Sequence, residues 1–465
     1  MSQLTLSALA AMRVTCAKAS RELTGDTALE MERMDALLGR LLAEHTDVSA
    51  LAHRAAEELN DELGGPQGLS WQETLARSSR AIAALPPSPD SLSDPLLRAA
   101  VASEMRYWAE YAQVTRAAME PVPVPQDEPE VGADLDVEAF LTFVRDTFPL
   151  ETSLEVADVR AASLGYSKRT LLVTFSGARD LPDQVALRID QANSHLGTTV
   201  RDEYPIVTSL FTAGVRVPEP LAFGEDEVLG QPFIMFARVP GRSIGSNFLM
   251  PPRDDKVVSD FATELATLHA VPLADVGWSD DPDDLRAALD REIADYRRTW
   301  MELGADCPLA EAAFTWIEIN RDLGDGGRPA MVHNDFSMGN VLYDEDGVTA
   351  IVDWEMAYPG VQGADLGYFY FAACEVASWD HFLAEYVAAG GVLPPRETLD
   401  FYILWGQLRM LVMCFQAELA FVRGVYDNVK YGVIGPRTLP EVVDRVGGTL
   451  VRLLAGERTT PTPVA

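Results

Sequence analysis

The chain has 465 residues, with 71 Asp and Glu against 37 Lys and Arg, a formal net charge of −34. So acidic a surface repels nucleic-acid phosphates and anionic lipid, and neither is an expected partner. The acids are spread along the chain, which points to solubility rather than to a site for a cation, and the length calls for two or three domains.

Residues 1–119 carry a helical pattern. "MERMDALLGRLLAEH" sets Met34, Leu37, Leu38, Leu41 and Leu42 on one stripe, and "DPLLRAAVASEMRYWAEYAQVTRAAM" continues that period. Only "GGPQG" and "LPPSPDS" break it. Arg13 and Lys18 interrupt the apolar N-terminal stretch, so no signal-peptide core is expected and the expected location is cytoplasmic. Residues 120–136, "EPVPVPQDEPEVGADLD", alternate prolines and acids, cannot build a core, and are expected to be a linker. "VEAFLTFVRDTF" then reads as a short amphipathic helix, and "TLLVTFSG" and "DQVALRID" as strands. "VRDEYPIVTSLFTAG" returns to helical spacing and stops at Gly214, and "VPEPLAFGEDEVLGQPFIMFARVPG" holds two more strands. Beyond about residue 255 helices dominate, apart from two short strands around "MVHNDFSMGNVLY". The apolar segment "FYILWGQLRMLVMCFQAELAFV" is broken by Gln407, Arg409, Gln416 and Glu418, which suits a buried helix and falls short of a membrane span. Cys16, Cys307, Cys374 and Cys414 have no metal-ligand spacing and read as free thiols in a reducing compartment. The last ten residues, 456–465, read as a tail.

No P-loop or H-E-x-x-H sequence occurs. What occurs is an ordered set. Gly165 precedes a β run, where a loop can lay N–H groups over phosphates. Arg188 lies near the end of the next strand, where kinases usually carry Lys; of the four lysines, Lys18, Lys168, Lys256 and Lys430, none falls there. Glu203 follows at a helix start, able to pair with Arg188 or simply to complement the helix dipole. His333, Asp335 and Asn340 form H-x-D-x-x-x-x-N, and Asp353 ends an apolar run. A strand, a turn at "DEDG" and a second strand between Asp335 and Asp353 would bring Asp335, Asn340 and Asp353 to one edge. There two oxygen ligands can share Mg²⁺ and one carboxylate can face a hydroxyl.

With these residues in this order the sequence resembles the aminoglycoside phosphotransferase-like kinases, over about residues 138–455. "HNDFSMGNVLYDEDGVTAIVDWEMAYPGVQGADLGYFYF" is similar to the branch found as the kinase domain of acyl-CoA dehydrogenase 10/11-type proteins. The resemblance implies an α+β, protein-kinase-like bilobal fold preceded by an all-α region. Within it a small sheet lobe at 137–240 and a helical lobe at 241–455 are expected, while the helical accessory domain at 1–119 and the linker at 120–136, read from their own pattern, lie outside the resemblance. It also implies that ATP and Mg²⁺ are the cofactors and that a small-molecule hydroxyl is phosphorylated. By position, Asp335 would accept or orient the proton of the attacking hydroxyl, and Asn340 and Asp353 would hold Mg²⁺. Arg188 would bind the phosphates under the loop Gly165, Tyr166 and Ser167, with Glu203 holding Arg188. The backbone around Phe236, Ala237 and Arg238 would meet the adenine. His333 would support the loop, and Asp365 would cap a helix and buttress it.

Three positions depart from the family pattern. Asn334 replaces a glycine, a modest change because Asn tolerates left-handed backbone; Arg188 replaces Lys; and Ser337 stands where relatives carry a basic residue. Ser337 and Met338 lie where the acceptor is expected to approach. A hydroxyacyl-CoA or similar metabolite is the expected acceptor, favoured by the aromatic run Tyr368–Phe371. An aminoglycoside or macrolide kinase and a non-catalytic nucleotide-binding module are the alternatives. Residues 1–119 would cover the acceptor cleft, form a homodimer or serve a fused partner, and the sequence does not choose.

Overall fold

Local capping chemistry sets where the helices begin. Helix α1 (Ser49–Glu62) is followed by α2 (Trp71–Ala83), which opens on a capping box: Glu73 N–H donates to Ser70 Oγ, and Ser70 N–H donates back to the Glu73 carboxylate at 2.9 Å. The prolines after α2 end it before the long α3 (Pro95–Ala118). The structure, a computed structural model, describes residues 48–66, 68–118, 131–132, 135–161, 168–190, 198–245, 250–425 and 429–457, and positions 13, 16, 34, 35, 38 and 39. Most of the expected Met34–Leu42 stripe therefore lies outside the described residues.

The remaining elements follow in order: β1 (Val131–Gly132), α4 (Val137–Thr147), β2 (Glu155–Ala161), β3 (Lys168–Ser176), β4 (Gln184–Asp190) and α5 (Val200–Thr212). Then come β5 (Pro220–Gly224), β6 (Phe233–Ala237), β7 (Arg242–Ser243), α6 (Asp255–His269), α7 (Pro282–Leu303) and α8 (Pro308–Ile319). Four short strands, β8 (Pro329–Val332), β9 (Val341–Tyr343), β10 (Val348–Ile351) and β11 (Tyr358–Val361), precede α9 (Gly363–Val376). The chain ends in α10 (Trp379–Ala388), α11 (Arg396–Val422) and α12 (Val429–Leu454). The sequence led us to expect two strands around the histidine–aspartate motif. The two added ones, β8 and β11, are four-residue ribbons that each contain a proline, too short to show a period of two.

Two compact units form. One contains Met1–Gln126, Leu289–Gly326 and Pro395–Ala465, and the other Asp127–Ala288 and Gly327–Pro394. The crossing at Gln126 and Asp127 falls inside the proline and acid stretch.

The first unit is helical. Leu51, Ala55 and Leu59 of α1 pack with Trp71 and Leu75 of α2 and with Tyr107 and Tyr111 of α3, the Trp71 and Tyr107 rings lying 4.7 Å apart. Helix α8 is buried at every position from Pro308 to Ile317 and touches α2, α3, α11 and α12. A helix buried all round belongs at the centre of a core, and α8 sits there, its buried Glu311 accepting from Arg297 Nη1 at 2.6 Å and Trp300 Nε1 at 2.7 Å. Glu104 of α3 is buried and accepts the Leu309 N–H at 2.8 Å; burial nevertheless pushes its carboxyl up to about 7. Helix α11 carries the apolar segment from Phe401 to Val422 and is buried along its first half, where Trp405 Nε1 donates to Glu292 at 2.9 Å. Among the described residues no helix is long and apolar enough to cross a membrane.

The second unit is built on an antiparallel sheet in the order β1-β2-β3-β4-β6-β5. Alternation turns Leu171, Val173 and Phe175 of β3 and Val185, Leu187 and Ile189 of β4 to one face, where Phe140 and Val144 of α4 cover them. In the same unit β9 pairs with both β10 and β7, and β8 pairs with β11. The molecule is α+β, with helices first and a small antiparallel sheet, as the sequence implied.

Candidate active site

The turn after β8 owes its shape to two residues. Asn334 adopts φ 68°, the left-handed conformation that Asn tolerates, so it can stand where relatives use glycine. Asp365, on the first turn of α9 and fully buried, accepts the His333 N–H at 2.8 Å on Oδ2 and the Asn334 N–H at 2.7 Å on Oδ1. His269 Nε2 lies 3.2 Å from the same Oδ2, and its Nδ1 lies 2.8 Å from the Tyr386 hydroxyl. His333 receives the Asp335 N–H on Nδ1 at 3.2 Å, so its proton sits on Nε2, 3.0 Å from the Val352 carbonyl. Both ring nitrogens are thereby engaged in holding the loop.

These contacts deliver Asp335. Its Oδ2 accepts from Asn340 Nδ2 at 2.7 Å, and its Oδ1 accepts from the Tyr368 hydroxyl at 2.6 Å. Asn340 Nδ2 also reaches the Asp335 carbonyl at 2.9 Å. With its nitrogen turned to Asp335, the Asn340 amide presents its oxygen on the other side. The β9–β10 hairpin closes through Asp344 N–H to the Gly347 carbonyl at 2.9 Å, inside the "DEDG" turn. It returns Val352 N–H to the Asn340 carbonyl at 2.9 Å, which sets Asp353 beside Asn340. Asp353 itself has φ 70°, a second left-handed residue that re-aims the chain as the hairpin ends.

Arg188 meets this edge from β4. Its Nε donates to Glu203 at 2.8 Å and its Nη2 to Asp353 at 2.5 Å, with Glu355 at 3.5 Å. Glu203, on α5, spends its other oxygen on the Trp354 N–H at 3.2 Å. Burial works against the guanidinium charge, but Asp353, Glu203 and Glu355 overcome it and hold Arg188 protonated well above its ordinary range.

Lys168 was missed as a site residue, because the sequence showed only that no lysine lies on β4. It opens β3 instead, nearly fully buried, with Nζ 2.7 Å from the Thr198 carbonyl and 3.3 Å from both Asp190 and Glu355. Asp190 in turn accepts the Val200 N–H at the start of α5 at 3.1 Å. Lys168 and Arg188 thus face Asp190, Glu203, Asp353 and Glu355, a formal excess of two negative charges. Oxygen donors at Asn340 and Asp353 beside that excess fit a hard divalent cation such as Mg²⁺. Glu355 stands in "DWE" and Lys168 in "YSKRT", but nothing in the sequence pairs two residues so far apart.

Other expected site residues fare differently. Gly165, Tyr166 and Ser167 lie outside the described residues. The N–H groups of Ala237 and Arg238 are donated to the Glu219 and Gln184 carbonyls at 2.9 and 3.1 Å, and Phe236 is a buried sheet residue. What this stretch can offer a base is therefore its carbonyls and side chains. Ser337 and Met338 are buried and present no surface to an acceptor, which corrects the expectation placed on them. In the aromatic run, Phe369 is core, packed on Phe261, Phe336 and Phe382, while Tyr368 turns to Asp335.

A small antiparallel sheet whose cation is clamped by a helix glutamate, facing a loop with Asp and Asn and a second Asp after a hairpin, is the framework of a kinase-like phosphotransferase. The chain belongs to the phosphotransferase enzyme family, whose profile matches residues 158–402. It is 26% identical over 237 residues to acyl-CoA dehydrogenase family member 11 of Gallus gallus, covering 45% of this chain and 30% of that protein. It is 24% identical over 229 residues to a probable acyl-CoA dehydrogenase of Arabidopsis thaliana, covering 42% of this chain and 28% of that protein. The chain thus spans less than a third of the length of these curated relatives. Among solved structures, a putative aminoglycoside phosphotransferase from Ralstonia eutropha shares the fold, with a TM-score of 0.54 and 17% identity, over 69% of this chain and 99% of that one.

Proposed function

We propose that the chain is an ATP-dependent kinase that transfers the γ-phosphoryl group to the hydroxyl of a small molecule, with a hydroxyacyl-CoA or a similar hydroxylated metabolite as acceptor. The observation that carries the reading is the held carboxylate of Asp335, its oxygens fixed by Asn340 and Tyr368, next to the Arg188, Glu203 and Asp353 cluster. The acceptor class rests on the likeness to acyl-CoA dehydrogenase family member 11, and the lobes at 137–240 and 241–455 belong to the same reading.

Asp335 orients the acceptor hydroxyl and takes its proton as the new O–P bond forms. Asn340 and Asp353 would hold Mg²⁺, which supplies charge neutralisation between the phosphates when bound. Arg188, kept charged and oriented by Glu203, neutralises phosphate oxygens. Catalysis of this kind is positioning and electrostatics, and a loop pinned at His333, Asn334 and Asp335 supplies the positioning.

The test is an ATP-consumption screen across hydroxyacyl-CoAs, phenols, sugars, aminoglycosides and macrolides, run beside Asp335→Ala. The variant is expected to bind nucleotide as the parent does and to lose turnover by about two to four orders of magnitude. Equal turnover in the two proteins refutes the role of Asp335. Turnover confined to the antibiotics moves the acceptor class, and binding of ATP with no transfer to any acceptor makes the chain a nucleotide-binding module.

A further inference from the structure

Lys168 is the first residue of β3, and its side chain is 1% exposed. Its ammonium carries three hydrogens and has three oxygens around it. These are the Thr198 carbonyl at 2.7 Å, Asp190 Oδ1 at 3.3 Å and Glu355 Oε2 at 3.3 Å. An ammonium so engaged has no hydrogen to spare for a ligand, so Lys168 acts through the groups it holds.

Those groups are not equivalent. Asp190 is balanced a second time by the start of α5, its two oxygens lying 3.1 and 3.3 Å from the Val200 N–H. Glu355 is different, because the oxygen that faces Lys168 also lies 3.5 Å from Arg188 Nη2. Two cations, both shielded from water, therefore share one carboxylate oxygen, while the same Nη2 is bonded to Asp353 at 2.5 Å. Where water is scarce, a carboxylate that loses one cation draws harder on the one that remains. This holds whatever else Glu355 touches, since it concerns one oxygen and two cations.

Resting on the kinase reading above, we propose that Lys168 is a positioning residue for the nucleotide phosphates: it occupies the Glu355 oxygen that Arg188 would otherwise turn to, and so leaves the guanidinium charge for phosphate. Lys168 touches neither nucleotide nor acceptor. Its effect falls on phosphate affinity, and it reaches the transfer step only through Arg188.

The experiment titrates Mg·ATP by calorimetry into the full chain, into Lys168→Met and into the double variant Lys168→Met/Glu355→Gln, and records the thermal midpoint of each. Lys168→Met is expected to raise the Kd for Mg·ATP about 10- to 100-fold, the loss that goes with a charge-assisted bond. Its thermal midpoint is expected to fall, because buried carboxylates are left with one cation fewer. The double variant removes the charge that Arg188 would turn to, and is expected to bring Kd back to within about threefold of the parent. A lysine that only props up the fold predicts no such recovery, since the double variant regains neither the Thr198 nor the Asp190 contact. Weak binding in both variants therefore overturns the proposal, and so does parent-like binding in Lys168→Met. No binding of Mg·ATP by the parent overturns the kinase reading beneath it. Should Lys168→Met not fold, Glu355→Gln in the otherwise unaltered chain carries the test. It is expected to tighten Mg·ATP about threefold, and unchanged or weaker binding counts against the role of Lys168.

Discussion

Replacing Arg188 by lysine separates two explanations of why a guanidinium stands here. The Nε bond to Glu203 at 2.8 Å and the Nη2 bond to Asp353 at 2.5 Å leave from different nitrogens of one planar group. Lysine keeps the charge but carries a single nitrogen on a flexible stem, so it can satisfy one carboxylate well and leaves the other behind. Glu203 is almost wholly buried and the Arg188 side chain is 14% exposed, so water replaces the lost bond poorly. A hydrogen bond to a charged group contributes about 1.5–3 kcal/mol. Arg188→Lys is therefore expected to lower stability toward urea by about that amount. It should also weaken Mg·ATP binding about 10- to 100-fold, at roughly 1.4 kcal/mol per decade. Equilibrium denaturation and titration calorimetry measure the two quantities. A lysine variant equal to the parent in both would refute the reasoning, because it would show that a point charge suffices and that the two-pronged clamp contributes nothing.

Two further outcomes follow from the fold. Glu104, protonated up to about pH 7 when folded and near its ordinary value when unfolded, binds more protons in the folded state between those limits. Its contribution is full below about pH 4.5 and is lost as pH rises to about 7, a decline of about 3 kcal/mol that Glu104→Gln should abolish in urea titrations at stepped pH. Asn334→Ala keeps the β-carbon but removes the polar side chain that makes the left-handed region at φ 68° tolerable, and should cost about 1 kcal/mol, while Asn334→Gly should be close to neutral. Denaturation midpoints that fail to separate the two would remove the backbone explanation of Asn334.

Much of the site could be read in advance because its members are local or strictly ordered. The hairpin from Val341 to Ile351 has a strand, a turn and a strand in sequence, so Asp335, Asn340 and Asp353 had to converge. Arg188 and Glu203 could be paired because a strand and the next helix are close neighbours in the chain. Lys168 could not be assigned this way: its partners Asp190 and Glu355 come from different segments, and a lone lysine at a strand start carries no periodic signal. Tyr368 stands in the aromatic run Tyr368–Phe371, and only the tertiary contacts tell its hydroxyl, bonded to Asp335, from the buried ring of Phe369. Ser337 and Met338 looked exposed because they sit in a polar motif, yet tertiary packing buries both. The compact units were legible only at the crossing near Gln126, since one of them draws on three separate stretches of chain.

That three-stretch construction has a consequence for how the protein is made. Helix α8, buried from Pro308 to Ile317, rests on α2 and α3 from the beginning of the chain and on α11 and α12 from its end. During synthesis α2 and α3 leave the ribosome with an apolar face whose cover, α8 and then α12, is translated about two hundred residues or more later. Contacts this distant in sequence are slow to close, and open apolar faces are where nascent chains aggregate. The proline and acid stretch after α3 looks like a natural place to cut, but removing everything before it would strip α8 on one side. A shortened protein beginning there is expected to need chaperones or to precipitate, however complete its catalytic loop.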